Sequence, residues 1–99
     1  MQFIFISRAS KKLYEEEKGA KQYPPGIVDA FFDVINLIGE IKDEKELLKF
    51  NSLNFEPLRG KLREYHSLRL NRQFRLLVKL LTDENGNKYF EIGDITDYH

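Results

Sequence analysis

The last three residues, Asp97, Tyr98 and His99, set a carboxylate, a phenol and an imidazole side by side. Imidazole is the side chain that takes or gives protons near neutral pH, and a neighbouring acid can orient it. Upstream, residues 59–79 carry seven cations, Arg59, Lys61, Arg63, Arg69, Arg72, Arg75 and Lys79, against one anion, Glu64. That is a local charge of +6 in a chain whose 16 basic residues balance 16 acidic ones. Guanidinium suits phosphate because its planar fork offers two parallel donors. A proton carrier together with a run of arginines is equipment for chemistry on an anionic substrate. The plain alternatives are a frayed terminal histidine and arginines solvated on an open sheet face.

Other chemistries find less support. The sequence has no cysteine, which excludes disulfides, thiolate catalysis and cysteine-type zinc sites. Its two histidines come without an acidic cluster at ligand spacing, which makes a weak case for a metal. His66 shares an alternating face with Leu68 and Leu70 and reads as a core-edge residue. A net charge of zero and a pI of about 6.7 argue against a generic polyanion binder and leave a local one. No apolar run approaches the roughly 20 residues of a membrane span. Residues 1–6 are too short for a signal peptide's apolar region and lack a basic lead. The expectation is one domain, residues 1–99, in the cytoplasm and off the membrane.

These groups need a scaffold to hold them. Residues 2–6 form an apolar run that reads as a strand. Ser7 can cap a helix over 8–18 with Gly19 as its stop. Its Glu15-Glu16-Glu17 run reads as a solvated face. Pro24-Pro25-Gly26 punctuates a connector. Ile27, Phe31, Val34, Ile35, Ile38 and Ile41 then recur at helical spacing, which predicts the best helix over 25–41. Residues 43–48 suit one or two further turns, and 50–62 read as loop around Pro57 and Gly60. Residues 64–70 alternate, with His66, Leu68 and Leu70 on one face and Tyr65, Ser67 and Arg69 on the other. Residues 74–81 repeat the pattern. A three-residue loop of Asn71, Arg72 and Gln73 sets Leu68 opposite Leu76 and Arg69 opposite Arg75. Two arginines in that relation repel unless a carboxylate or an anionic ligand relieves them. Asn85-Gly86 marks a second hairpin, leading to a last strand over 89–98. Gly93 suits a bulge there, because Phe90 and Ile92 are out of phase with Ile95. The direction of Asp97 and Tyr98 stays open. The class is α+β: a strand, two or three helices, then an antiparallel three-strand meander.

Four motifs in this order resemble one family. They are Phe55-Glu56-Pro57-Leu58-Arg59-Gly60, Tyr65-His66-Ser67-Leu68-Arg69-Leu70-Asn71, Gln73-Phe74-Arg75-Leu76 and the closing Asp97-Tyr98-His99. Together with Leu13-Tyr14-Glu15 and the Pro24-Pro25 helix start, they look like the HigB branch of the RelE/ParE toxins, across nearly the whole chain. The resemblance implies a RelE-like fold and a ribosome-dependent messenger-RNA endonuclease that uses no metal or cofactor. It also implies neutralisation by a HigA-like helix-turn-helix antitoxin. In such toxins the 2′-hydroxyl attacks the adjacent phosphate and leaves a 2′,3′-cyclic phosphate. His99, Tyr98 and Asp97 match the family's terminal catalytic group, Arg59 the cation after Pro-Leu, and Arg75 the arginine of the second hairpin strand. Arg69, Lys61, Arg63, Arg72 and Lys79 are then candidate RNA contacts. Glu56 stands where some members have histidine. A carboxylate there is either the base or a charge that repels the phosphate. Two other functions fit the same resemblance: a gyrase-poisoning toxin of the ParE kind, and a non-enzymatic module that only binds an antitoxin.

Overall fold

The computed structural model describes residues 1–97; Tyr98 and His99, two of the expected catalytic residues, lie outside the described residues. Strand β1 (Gln2–Phe5) is followed by helices α1 (Arg8–Glu16) and α2 (Ile27–Glu40). A series of 3-10 turns leads to β2 (Glu56–Pro57), then β3 (His66–Arg69), β4 (Phe74–Thr82) and β5 (Lys88–Asp97). The strands form one sheet in the order β1-β5-β4-β3-β2. β1 runs parallel to β5 and the other pairs are antiparallel. The expected meander is therefore the centre of a wider sheet. One added edge, β1, is the strand read over residues 2–6, and the other, β2, carries little local signal. β2 has two residues, too few for a period, and its Pro57 is tolerated because β2 is an edge.

Helix α1 starts as Ser7 predicts, with Ser7 Oγ accepting from Ser10 N–H at 3.2 Å. It ends at Glu16, two residues before the expected end at 18. Glu17 turns left-handed at φ +56°, and the N–H groups of Glu17 and Lys18 return to the Leu13 and Lys12 carbonyls. That closure satisfies carbonyls that would otherwise be orphaned at the helix end. Helix α2 starts at Ile27 rather than 25. The Pro24 carbonyl accepts from Ile27 N–H in the turn before it. Its buried stripe of Ile27, Phe31, Val34, Ile35 and Ile38 is the one the spacing predicts. Phe31, Val34, Ile35 and Ile38 form one core with Leu13, Leu68, Leu76, Val78, Phe90 and Ile92. Phe31 is wholly buried.

The β3–β4 register matches expectation, with Leu68 opposite Leu76 and Arg69 opposite Arg75. Asn71 holds the turn, its side-chain oxygen accepting from the N–H groups of Gln73 and Phe74 at 2.7 Å each. On the other side of β4, Leu76 pairs with Ile95 and Val78 with Ile92, so Leu77 faces both Gly93 and Asp94. This is the bulge expected at Gly93, and it returns Ile95 to the core side. Only glycine fits, because a Cβ there would lie 2.9 Å from the Leu77 carbonyl oxygen. The bulge also anchors α1: Ser10 Oγ donates to the Gly93 carbonyl at 2.7 Å, and Ser7 Oγ to Asp94 Oδ1 at 2.5 Å.

Candidate active site

Helices cover one face of the sheet and leave the other open. Arg75 belongs to the open face because it is out of phase with the core residues Leu76 and Val78 along β4. Its guanidinium nevertheless lies against the sheet: Arg75 is 8% exposed, the only buried charged residue among the described residues. A buried charge needs partners. Nη1 donates to Ser67 Oγ at 2.9 Å and to Glu56 Oε1 at 2.7 Å. Register explains the meeting. Ser67 lies diagonally across β3 from Arg75, and Glu56 on β2 is the strand partner of Ser67. The carboxylate that relieves the arginine pair is therefore Glu56.

Arg69, the other member of that pair, is exposed and turns away, its Nε donating to the Asn71 carbonyl at 3.2 Å. Arg59 is exposed and shares an open groove of about 470 Å³ with Glu56, Pro57 and Leu58. Glu56, Arg59 and Arg75 thus form one neighbourhood. Lys61, Arg63 and Arg72 are exposed on the turns beside it. Lys79 is more constrained: its ammonium lies 4.9 Å from the centre of the Tyr65 ring and 3.7 Å from Glu64 Oε2.

Asp97 is the strand partner of Phe74 and accepts from Gln73 Nε2 at 2.9 Å. That register gives it the helix-side face, one residue beyond Thr96, the partner of Arg75. The Phe74 ring meets Tyr23 edge-on at 6.0 Å on the same side. His66 is a core-edge residue, stacked on Phe55 with ring centres 4.8 Å apart. Burial pushes its pKa down, and the Glu44 carboxylate partly opposes this.

The sequence reading set Ser67 on the open face and gave it no role. Its alternation with Tyr65 and Arg69 was the available signal. The contact to Arg75 depends on a diagonal across two strands, which alternation alone does not specify.

The architecture resembles that of a solved bacterial protein. A YoeB/ParE toxin from Agrobacterium tumefaciens superposes with a TM-score of 0.59, covering 100% of both chains at 16% sequence identity. This likeness shows the fold class, an α+β sheet carrying helices on one face. The chain belongs to the HigB-like toxin family, RelE-like toxins of type II toxin-antitoxin systems, whose family model matches residues 4–99. Toxin HigB-1 of Vibrio cholerae serotype O1 is 26% identical over 91 residues, which is 92% of this chain and 96% of that protein.

Proposed function

We propose that the chain is a ribosome-dependent messenger-RNA endonuclease of the cytoplasm, silenced by a HigA-like helix-turn-helix antitoxin. The observation that carries this reading is Arg75, a guanidinium fixed by Ser67 on the solvent-facing side of a toxin fold. Phosphoryl chemistry by a small protein is mostly positioning and charge stabilisation. In the proposed step, the 2′-oxygen bonds to the adjacent phosphorus while the bond from phosphorus to the 5′-oxygen breaks. The 2′-hydroxyl loses its proton and the leaving oxygen gains one. Arg75 and Arg59 take the charge that builds on the phosphate oxygens. His99 moves a proton, with Tyr98 and Asp97 orienting it, and no metal or cofactor takes part. Arg69, Lys61, Arg63, Arg72 and Lys79 guide the RNA backbone.

A second reading has one observation in its favour. The Glu56 carboxylate neutralises Arg75 in the free chain, as suits a module that binds an antitoxin without catalysis. In vitro translation with added protein separates the readings. New 5′ ends on ribosome-bound message support the nuclease. Intact message with undisturbed supercoiling supports the non-enzyme, and intact message with a supercoiling defect supports gyrase poisoning.

A further inference from the structure

We propose that Glu56 is an internal stand-in for the substrate phosphate. Its carboxylate fills the anion position on Arg75 in the free chain and leaves when a phosphodiester arrives. The incoming anion's identity rests on the ribonuclease reading; the exchange itself does not.

Two partners of Arg75 Nη1 among the described residues differ in kind. Ser67 is wholly buried and donor and acceptor are held by adjacent strands. Glu56 reaches the same nitrogen from outside: its side chain is 41% exposed, against 10% for that of Arg75. The guanidinium is thus anchored from the sheet and met from solvent by a movable carboxylate. Glu56 stands on the two-residue edge strand β2 and lines the open groove that also holds Arg59. A carboxylate and a phosphate present the same paired oxygens to guanidinium. The pair is open to solvent on the Glu56 side, where water and salt screen it in part. A phosphodiester that touches Arg75 and Arg59 together replaces it. This gives Glu56 a role distinct from both sequence-based alternatives, a base or a repelling charge. It holds the site closed to weak single-contact anions and open to a ligand that engages both arginines.

The test is binding of a 2′-O-methyl RNA trinucleotide, which keeps its phosphates and lacks the nucleophile, read by fluorescence anisotropy. Glu56→Gln should bind roughly two- to fivefold tighter than the unmodified chain, the scale of a solvent-screened ion pair. Glu56→Asp, which keeps the charge and withdraws it by one carbon, should fall between. Glu64→Gln removes the same charge beside Lys79 and should change binding by less than about twofold. A trinucleotide with neutral methylphosphonate links should gain nothing. Weaker or unchanged binding by Glu56→Gln overturns the proposal, and so does an equal gain in Glu64→Gln, which would mark net charge alone. Inorganic pyrophosphate, read by thermal shift, separates the two layers. If pyrophosphate follows the same order and no RNA is bound or cut, the exchange stands and the ribonuclease reading falls. If message is cut and neither probe distinguishes Glu56→Gln, the ribonuclease reading stands and the exchange falls.

Discussion

Arg69 and Arg75 are strand partners across the β3–β4 hairpin, and their guanidinium groups part: Arg75 turns in to Ser67 and Glu56, Arg69 turns out to the Asn71 carbonyl. Like charges directly opposite one another destabilise a strand pair. Here the divergence and the Glu56 carboxylate remove most of that repulsion.

The asymmetry predicts unequal substitutions. Arg75→Ala strands the buried Ser67 hydroxyl and should destabilise by about 1–3 kcal/mol, measured by denaturant unfolding. It should also lose RNA cleavage. Arg75→Lys should restore stability in part and activity poorly, since an ammonium cannot make the forked contact. Arg69→Ala should leave stability nearly unchanged and weaken RNA binding. Equal stability losses at the two positions would contradict the geometry.

The core makes a sharper claim. Phe31 is wholly buried between α2 and the sheet, so Phe31→Ala should destabilise by roughly 3–5 kcal/mol. Gly93→Ala adds only one carbon, yet sets it 2.9 Å from the Leu77 carbonyl and 3.3 Å from Tyr65 Cε1. The backbone on one side cannot yield as a side chain does. A loss of about 1–3 kcal/mol is expected, together with weaker anchoring of α1, whose Ser10 binds the Gly93 carbonyl. A melting temperature equal to that of the unmodified chain would show that the bulge relaxes freely.

What could be read in advance follows physical range. The β3–β4 hairpin was legible because its side chains alternate locally around a short polar turn. The Gly93 bulge was legible because Phe90, Ile92 and Ile95 break phase within one strand. The early end of α1 was hidden, because a left-handed Glu17 runs against residue preference. Pairing of β1 with β5 was hidden too, since a parallel contact between distant segments leaves no local pattern. The site divides in the same way. Arg75 stood out by its place across from Arg69, whereas its contacts with Ser67 and Glu56 needed the β2 edge. Tyr98 and His99 stood out by residue type and by resemblance, and they lie outside the described residues.

His66 gives the chain an acid-sensitive stability. Its folded pKa is pushed below the ordinary imidazole value of 6.5 by burial, with Glu44 pulling partly back. Its Nδ1 is buried without a hydrogen-bond partner among the described residues, so a proton added there meets no acceptor. The unfolded chain therefore takes up this proton at a higher pH than the folded chain. Stability from this source is complete above about 6.5 and is lost as pH falls through the window below it. Asp43 and Glu46, whose pKa values are lowered by backbone N–H donors, act only in the carboxylate range further down. Melting temperatures from pH 8 to 5.5 should fall for the unmodified chain. They should stay flat for His66→Phe, which keeps a ring against Phe55 without a titrating group. Parallel slopes in the two proteins would assign the effect elsewhere.

The proton role proposed for His99 has the most direct test. The motive is the Asp97-Tyr98-His99 match to the family's terminal group together with the fixed guanidinium of Arg75. Asp97 accepts from Gln73, which suits a group that orients a proton carrier rather than one that moves the proton itself. Removing a positioned acid or base typically slows a reaction by about 10²–10⁴-fold. His99→Ala should therefore abolish growth arrest and cleavage of ribosome-bound message. Folding and antitoxin binding should persist, because the described core around Phe31 and Phe90 is built from residues between Leu13 and Ile92. Gln73→Ala, which removes one donor to Asp97, should slow cleavage far less. If the His99→Ala protein cuts message at the unmodified rate, the proton is moved by another residue. If it loses antitoxin binding as well, the histidine belongs to the partner interface and not to the reaction.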